Sequence, residues 1–313
     1  MSHNNSSNCS TREVDEQMKY LELVIYIPIF IMGMFLNLAA LLVYCLCFRK
    51  WTESTIYMTS LALMDLLLLL PLPFKMHAAY QTWPQEFQHV CSFLENLYFV
   101  GTYGGIYMIM CIGVDRWLAI CHPFKAKQLR SPKAALITCV GVWVLAFTAI
   151  FPVTFSFRTK VDEHFHCFHR FSENGWSPKV IICLQIFGFL GPALTLVCCS
   201  VQIIWTLQES GQRSTKSQAC VKIIYSGLCA FLVPFTPSHL AIFLQFLVRH
   251  IFSMKSISMF LQTAMCLSNI TCCLDGLCYY FIADEVKNTK NNFKMSRLSQ
   301  RRANSSTSEA TCS

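Results

Sequence analysis

Asp115 and Arg116 stand side by side near the end of a stretch, roughly 92–120, that is otherwise almost uncharged. An arginine at membrane depth is costly and marks function by default. An arginine at a helix end also marks a mere boundary, so the triplet Asp115-Arg116-Trp117 supports two readings, an ionic switch and a helix terminus. Further charges lie inside apolar stretches, among them Asp65, Asp275 and Lys75. Two carboxylates brought close would repel unless they shared a proton or a cation. A lysine in such a place supplies charge-assisted hydrogen bonds to an anion.

The elements that must position these groups are membrane helices. The chain has 313 residues, 54% hydrophobic and only 13% charged. That is too apolar for an ordinary soluble domain and too rich in Leu, Phe and Ile for disorder. About 20 apolar residues span a bilayer as a helix. Seven runs qualify, at roughly 21–48, 55–76, 90–121, 134–155, 179–207, 219–248 and 258–282. The fold class is an all-α membrane protein, a seven-transmembrane helix bundle.

Basic residues set the orientation. Arg49 and Lys50 follow the first run; Lys125, Lys127, Arg130 and Lys133 follow the third; Arg213, Lys216 and Lys222 follow the fifth. Lys287, Lys290, Lys294, Arg297, Arg301 and Arg302 follow the seventh. These segments share one side, which their charge makes cytoplasmic. The net charge of +8 therefore reads as topology and not as nucleic-acid binding. The N-terminus is then extracellular, with glycan acceptor sequons at Asn4, Asn5 and Asn8. The sequon at Asn269 lies within the seventh run and the one at Asn304 in the cytoplasmic tail, so both are discounted.

Most of the eighteen cysteines sit in apolar runs, where cysteine behaves as a small hydrophobe. Cys9, Cys91 and Cys167 face the oxidising exterior. A bridge between Cys91 and Cys167 would pin the second outer loop to the top of the third helix, leaving Cys9 over.

In chain order the polar and proline landmarks are Asn37, Leu61-Ala62-Leu63-Met64-Asp65, Cys91, Asp115-Arg116-Trp117, Trp143, Pro152, Pro192, Phe235-Thr236-Pro237 and Asp275-Gly276-Leu277-Cys278-Tyr279. This ordered set, with Cys91 twenty-five residues before Arg116, resembles the rhodopsin-like (class A) family of G-protein-coupled receptors over about residues 20–295. Leu72-Pro73-Phe74-Lys75, Leu97-Tyr98-Phe99-Val100, Phe243–Arg249 and Cys272-Cys273-Leu274-Asp275 are similar to the lysophosphatidylinositol-receptor branch of that family.

The resemblance implies an activation switch in which Arg116 pairs with Asp115 in the resting state and swings out toward the G protein, with Tyr279 moving in beside it. The two states then differ by only a few kcal/mol, so a ligand shifts the population. Phe235 stands where relatives often carry tryptophan, and Pro237 hinges its helix. Asp65 and Asp275 are the expected holders of an allosteric sodium ion, the one cofactor implied. Gly105, where the family often has a serine ligand, weakens that expectation, and Asp65 bonded only to Asn37 and the seventh helix is the plainer reading.

The outer half is expected to bind the ligand. Lys75, Arg249 and His169 supply positive charge, with Glu95 as partner of Lys75, and Tyr98 and Phe246 supply apolar surface. Pro73 is expected to bend the second helix and turn Lys75 inward. A charged rim over an apolar shaft suits a lysophospholipid, although other loop cations snorkel to lipid headgroups equally well.

The expected partners are a lysophospholipid, with lysophosphatidylinositol first, a heterotrimeric G protein of the Rho-activating or phospholipase-C-activating classes, arrestin, receptor kinases and membrane lipids. Residues 1–19 form the glycosylated N-terminus and 20–283 the bundle. Residues 284–296 read as an amphipathic helix 8 along the membrane, and 297–313 as a disordered cytoplasmic tail. The expected location is the plasma membrane. A class A receptor for a small carboxylate is the alternative within the family. A seven-span transporter is the alternative outside it, against which stands the lack of paired half-helices and of repeat symmetry. No metalloenzyme motif such as H-E-x-x-H is present, so an enzyme is not expected.

Overall fold

The computed structural model describes residues 3–47, 51–158, 167–168, 178–209, 215–248 and 254–276. Among these, seven helices are long and apolar enough to cross a membrane: Met18–Leu46, Glu53–Tyr80, Gln85–Cys121, Pro132–Pro152, Pro178–Glu209, Cys220–Leu247 and Ser256–Gly276. They are named below as the first to seventh spans. The end that carries the Cys91–Cys167 disulfide is called outer, and the end that carries Arg116 inner. The chain is an all-α membrane bundle. Its helix 8 segment, 284–296, lies outside the described residues.

The spans close into a ring around the third, which packs against the second, fourth and fifth, while the first meets both the second and the seventh. Side chains such as Phe35, Ile137, Trp205 and Val233 are exposed on the outside of the ring. In water this would be a large apolar patch; in a bilayer it is the lipid-facing surface. The interior is sealed by Met64, Val100, Ile106 and Met108, all fully buried. Polar cross-links join the spans where lipid offers no partner. Trp143 Nε1 donates to Ser60 Oγ at 2.9 Å, and Tyr107 Oη donates to the Phe187 carbonyl at 2.9 Å.

The second span starts on a reciprocal cap. The Thr55 amide donates to Thr52 Oγ1 at 3.3 Å, and the Thr52 amide donates to Thr55 Oγ1 at 2.8 Å. Its helix stops at Leu69 and resumes at Leu72–Tyr80. The break lies at Leu70–Pro71, upstream of the bend expected at Pro73. Pro71 has no amide hydrogen to continue the ladder, whereas Pro73 falls in the first turn of the new segment, where an amide hydrogen is not needed.

Three more spans depart from straight helices. In the fifth, Pro178–Gln185 gives way to a π-helical turn, Ile186–Leu190, before Gly191–Glu209. The Gly191 amide reaches back to the Ile186 carbonyl, one residue further than in an α-helix. Pro192 follows directly; it lacks an amide hydrogen, and its ring crowds the carbonyl four residues earlier. The sixth carries Pro234 and Pro237 inside one helix, Thr215–Val248. The seventh, read from sequence as one run, leaves the helix at Ser268 and resumes at 271–276. The amides of Asn269 and Ile270 bond three residues back, to Cys266 and Leu267, which tightens the turn. Ser268, Asn269 and Thr271 each donate a side-chain hydrogen bond to a carbonyl three or four residues earlier. Such local bonds compete with the helix ladder.

Candidate functional site

The break at Pro71 delivers Lys75 to a niche in the outer half. Its Nζ lies 4.9 Å from the ring centre of Tyr98 on the third span and 5.1 Å from that of Tyr26 on the first. Both rings are buried, at 3% and 0% exposure, and Lys75 itself is half-buried. An ammonium over two desolvated aromatic faces gains cation–π attraction of about 1–2 kcal/mol. Tyr98 in turn meets Phe99 edge-on at 5.4 Å. The niche closes on the seventh span, where Cys266 Sγ donates to Tyr26 Oη at 3.1 Å.

Glu95 is not the salt-bridge partner expected for Lys75. Its Oε1 accepts the Phe168 amide at 2.9 Å. Cys91 and Cys167 form the disulfide, with Cα atoms 5.8 Å apart, so the carboxylate and the bridge fasten the same loop. Phe168 sits at φ 63°, a region a bulky residue rarely adopts. The disulfide and Glu95 hold the residue on either side of that peptide. The carboxylate is thus spent on the loop backbone, for a reason the spacing of Glu95 and Lys75 does not reveal.

Phe246 is half-buried and joins none of these contacts among the described residues. Phe187 and Phe243 turn outward and are exposed. Arg249, His169 and Tyr279 lie outside the described residues, and so do the side chains of Asn4, Asn5 and Asn8, whose backbone is helical.

At the inner end the expected Asp115–Arg116 pair is replaced. Arg130 Nε donates to Asp115 Oδ1 at 2.7 Å and its Nη2 to Oδ2 at 2.8 Å. Arg130 follows the short loop helix Pro123–Leu129, which turns it back under the third span. The side chain of Asp115 is 9% exposed and that of Arg130 25%. The hydrogen bond that Arg130 gives to Asp115 holds its guanidinium above its ordinary value, so it stays charged at physiological pH. Adjacent residues on a helix point about 100° apart, and a fork that reaches Asp115 from the side wins the geometry.

Arg116 points elsewhere. It lines a half-open cavity of about 80 Å³ with Asp275 of the seventh span, Leu196, Ser200, Ile224 and Leu228. Trp117 Nε1 donates to Gln202 of the fifth span at 2.6 Å. Above the cavity Phe235 is buried against Phe231 at 5.3 Å, and Phe231 stacks on Phe189 at 6.2 Å.

Residues 36–279 match the family of 7 transmembrane receptors (rhodopsin family). The human "G-protein coupled receptor 55" is 40% identical over 94% of this chain and 95% of its own length. The human "Lysophosphatidic acid receptor 4" is 30% identical over 88% of this chain and 78% of its own. The mouse "G-protein coupled receptor 35" is 31% identical over 82% of each.

The chain belongs to the rhodopsin family of seven-transmembrane receptors.

In this receptor the buried oxygens of Asn37, Asp65 and Asp275, here called the oxygen layer, come from the first, second and seventh spans. Asn37 Nδ2 donates to the carbonyls of Gly33 and Cys272, both at 3.0 Å, tying the first span to the seventh. That leaves Asn37 Oδ1 buried without a hydrogen-bond partner, and Asp275 Oδ2 is in the same condition. Asp65 is 5% exposed and Asp275 6%. An oxygen-bound cation such as sodium would suit the chemistry of these groups, and Asp65 and Asp275 would be the residues to hold it. The missing serine at Gly105 leaves room: a Cβ there would meet only Leu61, at 4.0 Å.

Arg130 and His239, like Tyr26 and Cys266 at the niche, escaped the sequence reading. Arg130 was one of four basic residues in its loop, and nothing in their spacing marks which one folds back. His239 is 4% exposed, stacks on Phe189 at 4.5 Å, and its carbonyl accepts from Gln185 at 3.0 Å. A histidine two residues after Pro237 in an apolar run was the available signal.

Proposed function

We propose that this receptor senses an anionic lysophospholipid, lysophosphatidylinositol first among them, and activates heterotrimeric G proteins from the plasma membrane. The observation that carries the reading is Lys75: a cation held over the rings of Tyr26 and Tyr98. A phosphate displaces weak aromatic contacts from an ammonium more readily than it displaces a carboxylate, because only the first exchange adds a full opposite charge. The relatives named for lysophosphatidic acid support a lysolipid as the class.

Binding of the headgroup at Lys75 draws on the first, second, third and seventh spans together. Shifting them relative to one another changes the cavity shared by Arg116 and Asp275 at the inner end. The G-protein classes, Rho-activating and phospholipase-C-activating, rest on the family resemblance alone, as do arrestin and receptor kinases as further partners.

The test is nucleotide exchange on expressed receptor across lysophospholipids that differ only in headgroup. Lys75→Ala should abolish the response while surface expression persists. An unchanged concentration–response curve in that variant would remove Lys75 from the site, and a receptor silent to the whole panel would remove the ligand class.

A further inference from the structure

Lys75 has a carboxylate beyond its aromatic cradle that the landmark motifs do not contain. Glu22 and Tyr26 are four residues apart and share one face of the first span. Cys266 of the seventh span bonds to both, to Tyr26 Oη at 3.1 Å and to Glu22 Oε1 at 3.9 Å. Tyr26 is the residue whose ring faces Lys75 Nζ. Glu22 is thus linked to the lysine's niche through Cys266 and Tyr26, and it is half-buried. Among the described residues, the carboxylates of Glu22 and Glu95 both act on Lys75 by charge. Glu95 is committed to the Phe168 amide; the contact described for Glu22 is a long one to a thiol, a weak donor.

We infer that Glu22 determines which headgroup the niche accepts: a phosphodiester that carries hydroxyl groups, in preference to a phosphomonoester. The inference rests on the lysophospholipid reading and adds a residue to it. A phosphodiester bears one negative charge, whereas a phosphomonoester bears about 1.5–2 at neutral pH. Lys75 satisfies one charge. The second charge of a monoester meets the carboxylate of Glu22 and is repelled. A carboxylate is an acceptor only, so it binds what a polyol headgroup supplies, hydroxyl donors. Lys75 and Glu22 thus offer the headgroup one cation and one acceptor at the same niche.

The experiment compares Glu22→Gln and wild type in a G-protein activation assay, with lysophosphatidylinositol and lysophosphatidic acid of the same acyl chain. At matched surface expression, Glu22→Gln should move the ratio of the two potencies toward the monoester by about tenfold, the worth of one charge-assisted hydrogen bond. Glu22→Asp, which keeps the charge, should stay near the wild-type ratio. A responding wild type with an unchanged ratio in Glu22→Gln overturns the role of Glu22 and leaves the ligand class standing. A wild type silent to both lipids overturns both. If the glutamine variant fails to reach the surface, Glu22→Ala is read in its place by the same criteria.

Discussion

Asp115 gives both of its carboxylate oxygens to Arg130 and not to its neighbour Arg116, which faces the cavity shared with Asp275. The loop that carries Arg130 therefore competes with Arg116 for one acid. Whatever moves the loop, including a docking G protein, changes what Asp115 has to offer Arg116.

Arg130→Gln tests this competition. Removing the fork leaves Asp115 to Arg116, so agonist-free nucleotide exchange should fall at matched expression. The partly exposed pair contributes about 1 kcal/mol to stability, so the melting midpoint in detergent should drop only slightly. A rise in basal exchange would mean that Arg130 restrains the receptor.

Gly101 and Gly141 should respond in opposite directions to alanine. A Cβ at Gly101 would lie 2.5 Å from the Leu68 amide nitrogen and 2.8 Å from the Met64 carbonyl, both backbone atoms of the second span. The two spans would have to part, at a cost of about 1–3 kcal/mol or more. At Gly141 nothing lies within 4 Å, so alanine should be neutral or stabilise by up to about 1 kcal/mol. Thermal midpoints and surface expression of both variants settle it.

Cys167→Ser should release the outer loop. The bridge closes 76 residues, and its loss should cost about 2–4 kcal/mol. Glu95→Ala, which removes only the bond to the Phe168 amide, should cost about 1–3 kcal/mol. Both should weaken lysolipid potency, and Glu95→Ala should do so without changing the preference among headgroups. A changed preference would return Glu95 to the headgroup site.

Replacing sodium by N-methylglucamine should raise agonist potency if Asp65 and Asp275 hold the cation in the resting state. Asp275→Asn should erase the difference between the two salts. Equal potency in both salts for the wild type would show that the oxygen layer holds no sodium.

Much of the fold was legible because lipid simplifies the problem. Seven apolar runs have to be helices, since backbone groups in a bilayer find partners only within the helix or a closed barrel. The disulfide was legible for a similar reason: few cysteines lie outside the apolar runs. The interruptions were less legible. Pro73 looked like the bend, yet Pro71 breaks the helix, because a proline acts according to its place in the turn. Asn269 was dismissed as a buried sequon, yet it lies in the turn that interrupts the seventh span.

By itself, the sequence determined the spans, the outer bridge and the presence of Lys75, Asp65, Arg116 and Asp275 at membrane depth, because each follows from local composition and the cost of charge in lipid. Only the tertiary structure decided the pairings. Arg130 reaches Asp115 across fifteen residues, Glu95 goes to the loop amide, and Glu22, Tyr26, Tyr98 and Cys266 join at the Lys75 niche from three other spans. A charge selects its partner by distance and direction in three dimensions, and those depend on where Pro71 and the loop helix turn the chain.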